Sequence, residues 1–185
     1  MEDTRKGLII IMIYRELKLE ELDISLWESF IRHQVVDKCW CKENGKWVIK
    51  SEPFVDDWKE QEYNFLVQCL KNTISQGGVV YGAFEENKLK GFVSVEGEIF
   101  GQDKYMDLTS IHVSEDMRGH GIGKELFKIA KAFAKDKGAK KLYISAHSAV
   151  ETQAFYKAMG CVEARVYNQA YVEAEPYDCQ LECML

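Results

Sequence analysis

The chain is poor in proline, with 2 in 185 residues against 13 glycines. So few prolines leave no stretch that reads as a stiff or disordered linker, and 46% hydrophobic with 29% charged residues is the composition of an ordinary soluble globular protein. No C-x-x-C pair occurs among the six cysteines at 39, 41, 69, 161, 179 and 183, which removes the usual ribbon-type zinc and redox motifs. Cys39-Trp-Cys41 has only His33 near it, a poor zinc set, so no metal is expected and the cysteines read as free thiols. Basic charge is also in deficit. With 24 Lys and Arg against 30 Asp and Glu, the net charge is −6, which disfavours nucleic acid, whose phosphates require clustered cations. Long apolar runs are missing too: Leu8 to Ile13 is too short to cross a bilayer, and Glu2 and Asp3 stand where an export signal has basic residues. No membrane partner is expected, and the chain reads as cytoplasmic with reduced thiols. No repeat of fixed period is present.

What is there fits one domain over residues 1–185, long enough to bury about 70% of its unfolded surface without staples. Leu8 to Leu17 begins β-branched and then alternates, as a first strand does. Leu22, Leu26, Phe30 and Ile31 recur at helical spacing between acids, which predicts a helix over 19–36. Asn44-Gly45 marks a hairpin turn, with Trp47-Val-Ile49 as a short strand, and Ser51-Glu-Pro-Phe54 leads into a second helix over 55–76. Strands are expected over 79–84, 89–96 and 106–113, then a helix over 121–137 with an apolar stripe from Ile122 to Phe133 and lysines opposite, stopped by Gly138. A strand over 141–145, a short helix over 150–159, a strand over 162–168, a loop over 168–176 and a strand over 177–184 complete the order. The fold class is α/β (α+β): a mixed sheet of about six to seven strands, helices on both faces. Trp27, Trp40, Trp47 and Trp58 crowd the first third, either as core or as the lining of a substrate slot. Glu52, Asp56, Asp57, Glu60 and Glu62 favour a helix N terminus and could equally attract an amine.

The most informative stretch runs from Asp107 to Phe127: strand, glycine-rich turn, amphipathic helix. Glycines at 119, 121 and 123 allow positive φ and bare N–H groups, the helix N terminus adds partial positive charge, and Arg118 adds a full one, so the turn suits a phosphate. Two familiar phosphate loops fail by counting. A Walker loop needs glycine where Arg118 stands and Ser or Thr where Glu125 stands, and a dinucleotide fingerprint needs a third glycine where the chain has Lys124 or Leu126.

What remains, Arg118-x-x-Gly121-x-Gly123, resembles the pyrophosphate loop of the GCN5-related N-acetyltransferase (GNAT) family. Gly91-Phe-Val-Ser-Val resembles the family's central strand, and Ala154-Phe155-Tyr156-x-x-x-Gly160 its later helix; the resemblance is specific over roughly residues 79 to 167. It implies a mostly antiparallel GNAT sheet and an enzyme moving an acetyl group from acetyl-CoA to a primary amine. The diphosphate would lie on Arg118, Gly119, His120, Gly121, Ile122, Gly123 and Lys124. The pantetheine arm would pair with the backbone of Ile111 and Val113, at a splay between neighbouring strands, and the N–H of His112 or Val113 would polarise the acetyl carbonyl. Tyr156 would give a proton to the leaving sulfur, and Thr152, where many relatives have Asn, would replace one bond to the arm. Cys161 stands where the family more often has Phe, a departure that affects packing. For a base the resemblance favours Asp107, with Glu96, His112 and ordered water as alternatives. Residues 166–185 hold no Lys or Arg but carry Glu173, Glu175, Asp178 and Glu182, which favours a small cationic acceptor such as an aminoglycoside- or streptothricin-like antibiotic or a polyamine. A protein or peptide amine, a non-catalytic acyl-CoA sensor and a homodimer stay open.

Overall fold

The computed structural model describes residues 11–185. Residues 8–10 of the expected first strand lie outside them; its described part is β1, Ile13–Glu16. Two 3-10 turns come next, Leu19–Glu21 and Ile24–Trp27, where a helix over 19–36 was expected. The Asp23 side chain accepts the Ser25 N–H at 2.8 Å and restarts the chain between the two turns, a local bond with which Asp competes against a continuous helix. Of the residues at that spacing, Leu22 and Phe30 are nonetheless buried and Leu26 is half-buried, while Ile31 is exposed, so the apolar spacing reported burial in part and not a helix.

The Asn44-Gly45 turn is confirmed, but its hairpin is far longer than expected: β2, His33–Glu43, and β3, Lys46–Asp57. β3 absorbs the segment read as a helix lead-in, so α1 is only Glu60–Ser75. Next come β4, Val79–Glu85, β5, Lys88–Phe100, β6, Tyr105–Val113, and α2, Ile122–Asp136, close to expectation. β7, Lys141–Ala146, and α3, Val150–Ala158, also agree. β8 is reduced to Val162–Glu163, and the expected loop holds a short helix, α4, Gln169–Ala174, started by the Asn168 side chain accepting from Ala170 N. β9 is Cys179–Met184.

Seven strands form one sheet in the order β1-β4-β5-β6-β7-β9-β8, antiparallel except for β6 with β7; β2 and β3 form a sheet of their own. One face carries α2 and α3, where Ile122, Leu126, Phe127, Ala130 and Tyr156 meet sheet residues such as Val93, Met106 and Leu142. The other carries α1 and the 3-10 turns, with Leu22, Trp27, Phe30, Leu66 and Leu70 against Val80, Leu89 and Phe92. Each fully buried Leu, Val or Phe contributes about 1.5–3 kcal/mol, so both faces are needed to hold the sheet between them.

Three local features shape the surroundings of β6. It pairs with β7 only over Tyr105, Met106 and Asp107; beyond that the strands part. β2 bridges the gap: Arg118 donates to the His33 carbonyl at 2.7 Å beside the end of β6, and Trp40 N–H donates to the Ser148 carbonyl at 2.8 Å beyond the end of β7. On the other side of β6, β5 bulges. Val95 pairs with Leu108 but Ile99 with Met106, so residues 96–98 stand opposite Asp107 alone. The bulge is pressed on the end of α1: a Cβ on Gly97 would lie 2.5 Å from the Gly77 carbonyl carbon, and one on Gly78 2.5 Å from the Val95 carbonyl oxygen.

The tryptophans divide by role. Trp27 packs edge-on against Phe92, and Trp47 donates to Glu163 at 2.9 Å in a clasp, with Lys42 and Tyr167, that fastens the hairpin to β8. Trp58 borders a cleft. Glu182, one of the C-terminal acids expected near an acceptor, is buried and bonded to Lys141 at 2.9 Å and to Tyr105, so it serves the core.

Candidate active site

Two clefts flank β6 and share Thr109, Ser110 and His112. The first, about 650 Å³, lies where β6 and β7 separate; β2 and α3 supply further walls. Eleven of the thirteen residues singled out in the sequence line it: Ile111, His112 and Val113 on β6, Arg118, Gly119, Gly121, Ile122, Gly123 and Lys124 at the turn, Thr152 and Tyr156 on α3. His120 does not; its Nδ1 faces back to the carbonyl oxygens of Arg118 and Met117 at 3.1 and 3.3 Å. Asp107 lines neither cleft.

The turn has the features of an anion cradle. Gly119 and Gly121 have φ of +81° and +80°, a region costly for residues with a Cβ, and no side chain caps the N terminus of α2. The residues of the first turn line the cleft, so their N–H groups are available to it with the helix dipole behind them. Three cations border this cleft, Arg118, Lys124 and Arg32. Nothing in the sequence marks Arg32, which stands within the predicted helix over 19–36 but in the structure directly precedes β2. Its side chain is nine-tenths buried, ion-paired with Asp56 and set over the Trp58 ring at 5.3 Å, and its Nε has no hydrogen-bond partner among the described residues.

Tyr156 projects from α3 into the floor of the first cleft, edge-on to Phe127 and Phe155. Burial, with smaller contributions from Cys161 and Asp178, raises its hydroxyl above the usual tyrosine range, and no hydrogen bond opposes the shift. It stays protonated at neutral pH. His112 packs between Trp58 and Phe92; burial first, and then the charges of Arg32 and Arg118, push it down to about 3, so it is neutral in the site.

The second cleft, about 900 Å³, lies between α1, α4 and the sheet. Its ionised side chains are all acidic, Glu62, Glu96 and Glu175, and its apolar surface comes from Trp58, Phe65 and Tyr171 among others. The acid cluster at the start of α1 thus contributes one lining residue, and the C-terminal acids contribute another. Among the described residues no group of three or more His, Cys, Asp or Glu is placed to hold a metal ion, and no helix is long and apolar enough to cross a membrane.

The model of the acetyltransferase (GNAT) family matches residues 32–161. The chain belongs to the GNAT acetyltransferase family. No curated protein sequence matches it. Among solved structures, nourseothricin acetyltransferase is 19% identical with a TM-score of 0.68, over 92% of this chain and 95% of that one. A candidate streptothricin acetyltransferase from Bacillus anthracis str. Ames, in complex with acetyl coenzyme A, is 16% identical with a TM-score of 0.71, over 95% of this chain and all of that one. A PaiA N-acetyltransferase from Thermoplasma acidophilum, in complex with coenzyme A, is also 16% identical, with a TM-score of 0.59 over 95% and 100% of the two chains. At these identities the likeness is one of fold. For a GNAT chain the uncapped turn and the parted strands fit acetyl-CoA: one offers backbone N–H groups of the kind that suit a phosphate, and the other leaves β6 unpaired with β7 beyond Asp107, beside a cleft.

Proposed function

We propose that this GNAT chain carries acetyl groups from acetyl-CoA to a primary amine of a small, cationic acceptor. The observation that carries the reading is the contrast across β6, a cleft bordered by Arg32, Arg118 and Lys124 against one acid, Glu151, on one side and a cleft whose only Asp, Glu, Lys or Arg residues are three glutamates on the other. Acetyl-CoA bound in the first cleft supplies the activated acetyl thioester. The amides of 119–124 hold its diphosphate, with Arg118 and Lys124 adding charge, and the backbone of Ile111 and Val113 aligns the arm. Thr152 adds a hydroxyl. The backbone N–H of His112 or Val113 stabilises negative charge on the acyl oxygen, which a fixed dipole does without reorganisation. The protonated Tyr156 hydroxyl is the donor for the departing sulfur.

In the second cleft, Glu62, Glu96 and Glu175 draw an ammonium while Trp58, Phe65 and Tyr171 cover its carbon skeleton. Antibiotic acetyltransferases among the structural relatives support an antibiotic-like or polyamine acceptor over an acidic amino acid. The free cysteines support a reducing, cytoplasmic setting. The test is thiol release from acetyl-CoA across a panel of streptothricins, aminoglycosides, polyamines, amino acids and peptides. Turnover with the polycations and little with glutamate or aspartate is expected; coenzyme A binding without thiol release from any amine would refute the transfer.

A further inference from the structure

An amine attacks only as the neutral base, so a transferase that draws in an ammonium must first remove a proton. Asp107 is buried and lines neither cleft, yet Glu96, set opposite it by the bulge of β5, lines the second cleft beside Thr109, Ser110 and His112. Bulges beside active sites commonly re-aim a side chain in this way. Glu96 is also held. Its Oε1 accepts from the buried Thr73 hydroxyl on α1 at 2.6 Å, and the same hydroxyl lies 3.2 Å from the Cys69 carbonyl. One hydroxyl proton therefore has two acceptors. It serves Glu96 while that group is ionised and turns to Cys69 when Glu96 is protonated and donates in its turn.

We propose that Glu96 and Asp107 form one acid–base unit, with Glu96 as the base that receives the acceptor's proton, Asp107 as its protonated neighbour and Thr73 as the positioning residue. This rests on the acetyl-transfer reading. The atoms balance: the C–N bond forms as the C–S bond breaks, and the ammonium loses two protons, one to Glu96 and one that restores Tyr156 after its own has gone to sulfur. Glu96 then releases its proton to solvent through the open cleft. Burial, and after it the Glu96 charge, pushes Asp107 up to about 8, so it is neutral at pH 7. The other groups facing the pair are Cys69 and Glu62 on α1, Glu175 just after α4, His112 on β6 and Tyr143 on β7.

The first test needs no turnover. Carbon-13 NMR of the full-length protein labelled at Asp and Glu carboxyls should show one carboxyl titrating near pH 8. It should be absent in Asp107→Asn and move to lower pH in Glu96→Gln. No carboxyl titrating above about pH 6, or one that Glu96→Gln leaves in place, would overturn the pair. The second test is kinetic, with spermidine and neomycin as amine probes. Glu96→Gln should lower kcat at pH 7 by about 10²-fold or more, with the KM for acetyl-CoA unchanged, and the loss should shrink toward pH 10 as neutral amine becomes plentiful. Thr73→Val should lose less and Thr73→Ser should be rescued. A loss in Glu96→Gln that stays constant with pH would make Glu96 structural and end the proposal. No thiol release from wild type with either probe, with the carboxyl titration as expected, would remove the transfer reading and leave the pair standing.

Discussion

Tyr156→Phe separates a proton donor from a packing residue more cleanly than any other single change. The side chain is 6% exposed and lies edge-on to Phe155 at 5.2 Å and to Phe127 at 6.3 Å, contacts a phenylalanine ring reproduces. Only one oxygen is lost, and its shift from the ordinary tyrosine value has burial and nearby charge as causes and no hydrogen bond, so no partner is left unsatisfied. Stability should change by less than about 0.5 kcal/mol, a melting shift of about 1–2 °C in a chain of this size. Coenzyme binding should stay within a few-fold, because the turn at 119–124 is untouched. Loss of a general acid costs about 10²–10⁴ in kcat, or about 2.7–5.5 kcal/mol of barrier. Steady-state thiol release with both substrates saturating reads kcat directly. An acetyl thioester with a more acidic leaving thiol should lose much less, since that sulfur departs without help. Unchanged kcat, or an equal loss with both thioesters, would refute the assignment.

Gly121→Val forces a β-branched residue to φ near +80°, at about 1–2 kcal/mol or more, and tilts the amides that face the first cleft; calorimetry should show acetyl-CoA affinity falling by about tenfold or more. The double change Glu62→Gln and Glu175→Gln keeps an acceptor for the Lys59 N–H that Glu62 caps, at 2.9 Å, yet removes two charges from the second cleft; KM for a polycation should rise about tenfold, less at high salt, with kcat little changed. His112 has a depressed pKa, so the stability linked to its neutral form is fully present above about 6.5 and is lost as pH falls toward about 3. Urea unfolding should show a loss of up to about 1.4 kcal/mol per pH unit in that window, smaller in His112→Leu.

The strand, turn and helix around Arg118 could be read from the sequence because every signal there is local: alternation, then glycines that require positive φ, then an apolar stripe. The hairpin could not. β2 buries only Val36 and Cys39, and β3 buries nothing, so neither shows the two-residue alternation of a strand lying on a core. Leu22, Leu26 and Phe30 misled for the opposite reason, since residues spaced like a helix can enter a core from two short turns. The second cleft was hidden by distance along the chain: Trp58, Glu96, His112 and Glu175 come from four separate stretches, and only the finished fold brings them together. The resemblance offers Glu96 as an alternative base, but its turn toward the cleft depends on a bulge that no residue of β5 announces alone.

The seam of Gly78 and Gly97 touches no substrate, yet it limits how this enzyme can be redesigned. A side chain at either position would act as a wedge between α1 and β5, separating Thr73 from Glu96 as the space grew. A roomier acceptor pocket obtained by that route would arrive with its base unmoored. Enlargement has to start at the rim, where Phe65 is 73% exposed and can be trimmed without disturbing that seam.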